Sequence, residues 1–196
     1  MDMSLIENRK MLAEVLTNIH PMSGQCMEQL ISGFEYCEFG KKEIITRPGE
    51  IAKNLYFILE GTQRSYLLKD KEYTIAFSYH PNLGAIPDSF ILQRPSKHYF
   101  ESITPSKMLR ITKTKLDDLI EKYPELNKLM LRYHEMMIVG LHDRQTELMS
   151  MSMEERFEVF CERSFHLFGK VPHKHIASYL NMDPTNMSKL LNKKLV

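Results

Sequence analysis

Tryptophan is absent from this 196-residue chain, cysteine occurs three times, and neither sign of charge is in excess: 26 Lys and Arg stand against 25 Asp and Glu, a formal net charge of +1. Each shortage excludes something. Cys26, Cys37 and Cys161 are odd in number and far apart, so they make neither a disulfide framework nor a metal-ligand pattern; reduced thiols are the plain reading. A near-neutral chain has no bulk attraction for nucleic acid. No apolar run is long enough to cross a bilayer, and the opening Met1-Asp-Met-Ser-Leu-Ile-Glu7 is not a signal peptide, so a cytoplasmic protein without membrane contact is expected. The remaining composition, 43% hydrophobic and 26% charged, is ordinary for one large globular domain or two small ones.

Charge is unevenly placed. From Lys170 onward five lysines (170, 174, 189, 193 and 194) face one acid, Asp183, and His173 and His175 are expected to add partial positive charge. Such a patch on a near-neutral chain suits a small nucleic-acid-binding end attached to something else.

That end reads as two short helices around a tight turn. Pro172 suits a first helical turn, and Ile176, Ala177 and Leu180 recur at helical spacing. Asn181 falls where the first helix should stop, in the left-handed conformation that Asn tolerates. Asp183 is an N-cap followed by Pro184 at the first helical position. Met187, Leu190 and Leu191 give the second helix an apolar face, leaving Thr185, Asn186, Ser188, Lys189, Asn192 and Lys193 elsewhere. Asn pairs with adenine, Lys with guanine, and Ser or Thr with base edges or phosphates. In a helix-turn-helix the start of the second helix reaches the bases. Thr185, Asn186 and Lys189 are therefore assigned to base reading, and Ser188, Asn192, Lys193 and Lys194 to phosphates. The alternative is a helical hairpin with a solvated basic face.

Upstream the pattern changes. Residues up to about Cys37 read as amphipathic helices broken at His20-Pro21-Met22-Ser23-Gly24, a lid on the next part. From Cys37 to Ile111 the apolar period is two, in short runs such as Leu55-Tyr-Phe-Ile-Leu59 and Tyr73-Thr-Ile-Ala-Phe77, with turn signals at Gly40, Pro48-Gly49, Gly61 and Pro81 to Gly84. That spacing predicts a jelly roll, whose interior can hold a small ligand. Thr114 is expected to cap a helix, and Pro124 to open one reaching Met149, roughly 39 Å long. Met130, Tyr133, Met137, Leu141 and Leu148 lie near one stripe of that helix, interrupted by His134 and Arg144, and are predicted to pair two copies. Ser152-Met-Glu-Glu155 is a capping box that starts the next helix, and Met149 to Ser152 reads as a hinge.

Roll, long helix, hinge and helix-turn-helix in this order resemble the Crp/Fnr family of bacterial transcription regulators. Gly49-Glu50 with Leu55-Tyr-Phe-Ile-Leu-Glu-Gly61 looks like the family's early roll signature. Glu121-Lys-Tyr-Pro-Glu-Leu126 resembles the entrance to its dimer helix, and Met151-Ser-Met-Glu-Glu-Arg156 its hinge, which usually reads Leu-Ser-x-Glu-Glu-Arg. Ile176-Ala-Ser-Tyr-Leu180 and Met187-Ser-Lys189 match its reading hairpin. The resemblance implies an α+β chain of three parts. Residues 1–123 form an effector-like, cyclic-nucleotide-binding-domain-like β-roll with N-terminal helices; 124–151 form the dimerisation helix and hinge; 152–196 form the helix-turn-helix domain. It also implies a homodimer on palindromic double-stranded DNA, with RNA polymerase and a small-molecule effector as further partners and no resident cofactor or metal.

Departures from the family pattern qualify the effector. Cyclic-nucleotide-binding members carry a Gly-Glu pair and then an Arg with Ser or Thr. Here Gly84-Ala85-Ile86 lacks the acid, and Ser96-Lys97 stands where the Arg should be, with Arg94 out of register. With Tyr133, these residues form the expected, degenerate effector pocket, and their types argue against cyclic AMP. The N-terminal cysteine cluster of an iron-sulfur sensor is missing, and only His80 and His98 lie in the roll region, with no His-x-His there, which argues against a cupin-like enzyme. The reading helix has Thr185 and Lys189 where many members have Glu and Arg, so the usual half-site does not carry over. Val196 follows the reading helix directly, and the wing found in many members is expected to be lacking. The competing function is a small-molecule-binding roll without DNA activity.

Overall fold

The computed structural model describes residues 3–195, so Met1, Asp2 and Val196, with the expectation about a wing, lie outside the described residues. Two helices open the chain, α1 (Met3–Ile19) and α2 (Gly24–Ser32), and Ser23 caps α2 by accepting from the Cys26 amide at 3.4 Å. Eight strands follow: β1 (Glu35–Phe39), β2 (Glu43–Thr46), β3 (Asn54–Glu60), β4 (Thr62–Leu68), β5 (Glu72–Tyr79), β6 (Leu83–Gly84), β7 (Tyr99–Ser102) and β8 (Ser106–Thr112), with the short helix α3 (Pro87–Leu92) between β6 and β7. They form two antiparallel sheets, ordered β1-β8-β3-β6 and β2-β7-β4-β5. The roll read from the period-two pattern is what forms. Gly61 lets β3 turn into β4 with φ 93, and a Cβ there would lie 2.6 Å from the Pro105 carbonyl oxygen.

Phe57, Ile58, Phe100, Met108, Leu109 and Ile111 fill the roll, each at most 1% exposed. Leu12, Leu16 and Leu30 bring α1 and α2 into the same core. The helix α4 (Lys113–Lys122) is capped by Thr112, which accepts from the Lys115 amide at 3.1 Å, so the expected cap at Thr114 is corrected by two positions. Next come α5 (Glu125–Ser150) and α6 (Met153–Ser164), separated by Met151 in extended conformation. The capping box forms: Ser152 Oγ accepts from the Glu155 amide at 3.2 Å while Glu155 accepts from the Ser152 amide at 2.7 Å. A 3-10 turn (Phe165–Gly169), α7 (His173–Tyr179) and α8 (Pro184–Leu195) complete the described chain. None of the described helices is long and apolar enough to cross a membrane.

The C-terminal helices have their own core of Phe157, Phe160, Leu167, Val171, Ile176, Leu180 and Met187. The roll contributes to it: Ile103 belongs to this cluster, and Phe77 and Tyr79 of β5 pack against it. The junction read as a hinge therefore joins parts that are already packed together.

Candidate nucleic-acid interface

Local chemistry sets the second helix. Asn181 ends α7 with φ 52, and Asp183 accepts from the Thr185 amide at 2.7 Å, which caps α8. Met187 and Leu191 are buried, and this fixes the rotation of α8. Thr185, Ser188, Lys189, Asn192 and Lys193 are consequently exposed along its outer face. Ser188 Oγ donates to the Pro184 carbonyl at 2.9 Å, so its hydroxyl proton is already engaged. Asn186 is half-buried, with its amide 3.9 Å from Met153 Sδ. Lys194, assigned to phosphates, turns to α6 and forms an exposed ion pair with Glu158.

Arginines hold this hairpin; the sequence marked Arg156 only as the end of the hinge motif and gave Arg64 no role. Arg156 of α6, 8% exposed, donates to the carbonyls of Leu180 at 2.9 Å, Met151 at 2.6 Å and Asn181 at 3.3 Å. It thereby fixes the turn between α7 and α8. Arg64 of β4, 2% exposed, donates to Glu101 and Glu72, each at 2.8 Å, lies 4.0 Å over the Tyr66 ring, and meets His175 Nδ1 of α7 at 2.6 Å. Ser178 of α7 extends the contact. Its Oγ donates to the Glu72 carbonyl and accepts from the Thr74 amide, both at 2.9 Å. On the other side, Arg144 of α5 lies 4.1 Å over the Tyr179 ring and donates to the Tyr179 carbonyl, while buried Glu147 binds Arg144 at 2.8 Å and Arg163 at 3.0 Å. The first helix of the hairpin, α7, is thus held by contacts from both the roll and the long helix.

His175 does not add the expected positive charge. Burial, then the Arg64 charge, pushes its pKa down to about 4 from an ordinary 6.5, so the ring is neutral. Burial alone would raise the Glu72 pKa, but the hydrogen bond and charge of Arg64 outweigh it and lower it. The unfolded chain takes up the His175 proton near pH 6.5, the folded chain only near 4, so stability is lost as pH falls through that window. Glu72 adds a loss in the same direction at the acid end. The His175 part is on the order of 2–3 kcal/mol. In urea titrations the full chain is expected to lose stability between about pH 6.5 and pH 4, and Glu72 aside, His175→Gln should lose less. Equal losses in both would contradict the assignment.

Several residues expected to line an effector pocket are engaged within the protein itself. Ile86 is 2% exposed and Phe90 of α3 5%, both within the roll core. Ser89 Oγ accepts from the Ala52 amide at 2.9 Å and donates to the Arg94 carbonyl at 2.6 Å. Ser96 is buried, and its hydroxyl is spent on His98, donating to the carbonyl at 2.8 Å and accepting from the amide at 2.9 Å. Lys97 is exposed, and Arg94 lies 3.5 Å from Asp88. A Cβ at Gly84 would come 3.1 Å from Ser78 Oγ, and Ala85 is half-buried against the core. Tyr133 does not join them. It lines an apolar cavity of about 20 Å³ with Leu16, Leu30, Leu55, Leu83 and Leu129, and burial pushes its pKa up to about 12.

Met130 likewise packs on the roll core and Met137 is half-buried, whereas Leu141 is 62% and Leu148 39% exposed. Leu131, Ile138 and Val139 are exposed beside them at 58%, 66% and 59%. The outer apolar face of α5 is therefore rotated from the predicted stripe, because Met130 and Tyr133 are taken up by the chain's own roll.

Comparison with known proteins agrees with this geometry. Residues 36–123 match the family model of the cyclic nucleotide-binding domain. The Fumarate and nitrate reduction regulatory protein of Yersinia pestis is 26% identical, over 78% of this chain and 66% of its own length, so the chain spans just under two thirds of that relative. Among solved structures, a CooA mutant from Carboxydothermus hydrogenoformans superposes with a TM-score of 0.65 at 18% identity, covering 92% of this chain and 82% of CooA. FixK2 from Bradyrhizobium japonicum gives 0.67 at 17% identity, with 82% and 83% covered. The class these elements define is a cyclic-nucleotide-binding-type roll joined through a long helix to a helix-turn-helix. At 17–18% identity the likeness to CooA and FixK2 is one of fold.

Proposed function

We propose that this protein is a homodimeric, sequence-specific DNA-binding transcription regulator of the bacterial cytoplasm, without enzymatic activity, which acts with RNA polymerase at palindromic sites. The observation that carries the reading is α8: Thr185, Ser188, Lys189, Asn192 and Lys193 stand exposed above the buried Met187 and Leu191, on a helix whose start is capped and whose turn is pinned by Arg156. The regulatory role named for the Yersinia pestis relative supports it. Pairing of α5 with a second copy would cover Leu131, Ile138, Leu141 and Leu148, which are exposed in the single chain. An effector other than cyclic AMP, or none, is supported by the burial of Ile86 in the roll core and by the Ser96 hydroxyl being engaged by His98.

Base reading by Lys189 has a direct test. Lys189→Ala is expected to lower affinity for the preferred duplex by about 1–3 kcal/mol and to relax the preference at the base pair it reads. Unchanged affinity and preference would remove Lys189 from that role. A uniform loss across all sequences would reassign it to a phosphate.

A further inference from the structure

The Arg64 cluster leaves one donor unused. Arginine has only N–H groups to give, so His175 Nδ1 is the acceptor in their 2.6 Å bond and the ring proton is on Nε2. His175 is 8% exposed, and among the described residues its Nε2–H has no protein partner. His175 lines a cleft of about 400 Å³ between the β1–β2 turn and the start of α7, and also borders a second one beside Lys71 and Lys174. Lys41 and Lys42 border the cleft from the roll and Lys170 from the other side. All three are exposed, and none forms an ion pair among the described residues. The carboxylate in the wall, Glu101, is already held by Arg64 at 2.7 Å. The turn carrying the lysines is anchored by the Lys42 amide, which donates to the Ser102 carbonyl at 2.6 Å.

We propose that this cleft binds a phosphate group, held by the ammonium groups of Lys41, Lys42 and Lys170 and by the Nε2–H of His175, so that one anion is shared between the roll and the helix-turn-helix. Lysine supplies mobile point charges that suit a phosphate, and a neutral imidazole N–H supplies a fixed donor at low desolvation cost. The phosphate comes either from a DNA backbone or from a free phosphorylated molecule. The first source rests on the DNA-binding reading: the first helix of a helix-turn-helix crosses the backbone, and these groups flank the start of α7.

The test uses the full chain and its Lys42→Gln/Lys170→Gln variant, both changes being on exposed side chains, with circular dichroism as the check of folding. Inorganic pyrophosphate is titrated at constant ionic strength while thermal unfolding is followed. The salt dependence of binding to the protein's preferred duplex is measured in parallel. If the source is a free phosphate, pyrophosphate raises the unfolding midpoint of the natural protein and not of the variant. If it is DNA, pyrophosphate leaves the midpoint unchanged, and the slope of log affinity against log salt becomes shallower in the variant by about 0.9, for the one shared phosphate. A natural protein that binds duplex, ignores pyrophosphate and shares its slope with the variant overturns the site and leaves the DNA reading standing. One that binds no duplex but responds to pyrophosphate keeps the site and overturns the DNA reading. Neither response overturns both.

Discussion

Arg64→Ala is expected to destabilise the full chain by about 3–5 kcal/mol, the cost of breaking a buried ion pair from one side. The guanidinium is 2% exposed and serves Glu101, Glu72, His175 and the face of Tyr66 at once. Alanine leaves the Glu101 side chain, 12% exposed, as a buried carboxylate with no counter-charge. Arg64→Lys is expected to recover only part of the loss, because one ammonium cannot reproduce a planar fork reaching two carboxylates and an imidazole. Urea unfolding of the variants measures both. A loss below about 1 kcal/mol for alanine would place the cluster among weak surface pairs and contradict its structural role. Because His175 and Ser178 belong to α7, hydrogen exchange in α7 should rise along with the global loss.

Arg156→Ala is expected to cost about 3 kcal/mol or more, since each hydrogen bond from a charged donor contributes about 1.5–3 kcal/mol and the carbonyls left behind are partly buried. The carbonyls concerned, Leu180, Met151 and Asn181, bracket the turn before α8 and the break before α6. The loss should therefore have two readouts: a lower urea midpoint, and weaker duplex binding under conditions where the variant is still folded. Arg156→Lys keeps the charge but not the fork, and should fall between. A variant that loses stability while binding duplex with natural affinity would show that Arg156 supports the domain without setting the pose of the reading helix.

Features specified by neighbouring residues were legible in the sequence. Asn181, Asp183 and Pro184 shape the turn and cap of α8 within a few residues of each other, and the Ser152–Glu155 box is equally local. The roll was legible because alternation of apolar residues needs no knowledge of the partner strand. Long-range chemistry was not. Arg64 lies 111 residues from His175 and reads as an outward strand residue until α7 covers it. For the same reason His175 reads as a positive charge, when burial and Arg64 keep it neutral. Lys194 belongs to the basic patch by sequence, but Glu158 takes it up from another helix. The stripe on α5 reads as one surface in the sequence, yet Met130 and Tyr133 at its start meet the roll and Leu141 and Leu148 do not. A helical period gives which residues share a face; it does not say which of two neighbours covers each part of that face.

The exposed face of α8 is proposed to read DNA. Selection from random duplexes by the purified full chain, with no added ligand, followed by a salt titration on the enriched sequence, tests it most directly. An enriched palindrome whose affinity falls steeply as salt rises is the predicted result, and it would establish specific recognition and a dimer together. No enrichment, with only weak salt-sensitive binding that Lys189→Ala leaves unchanged, would contradict it.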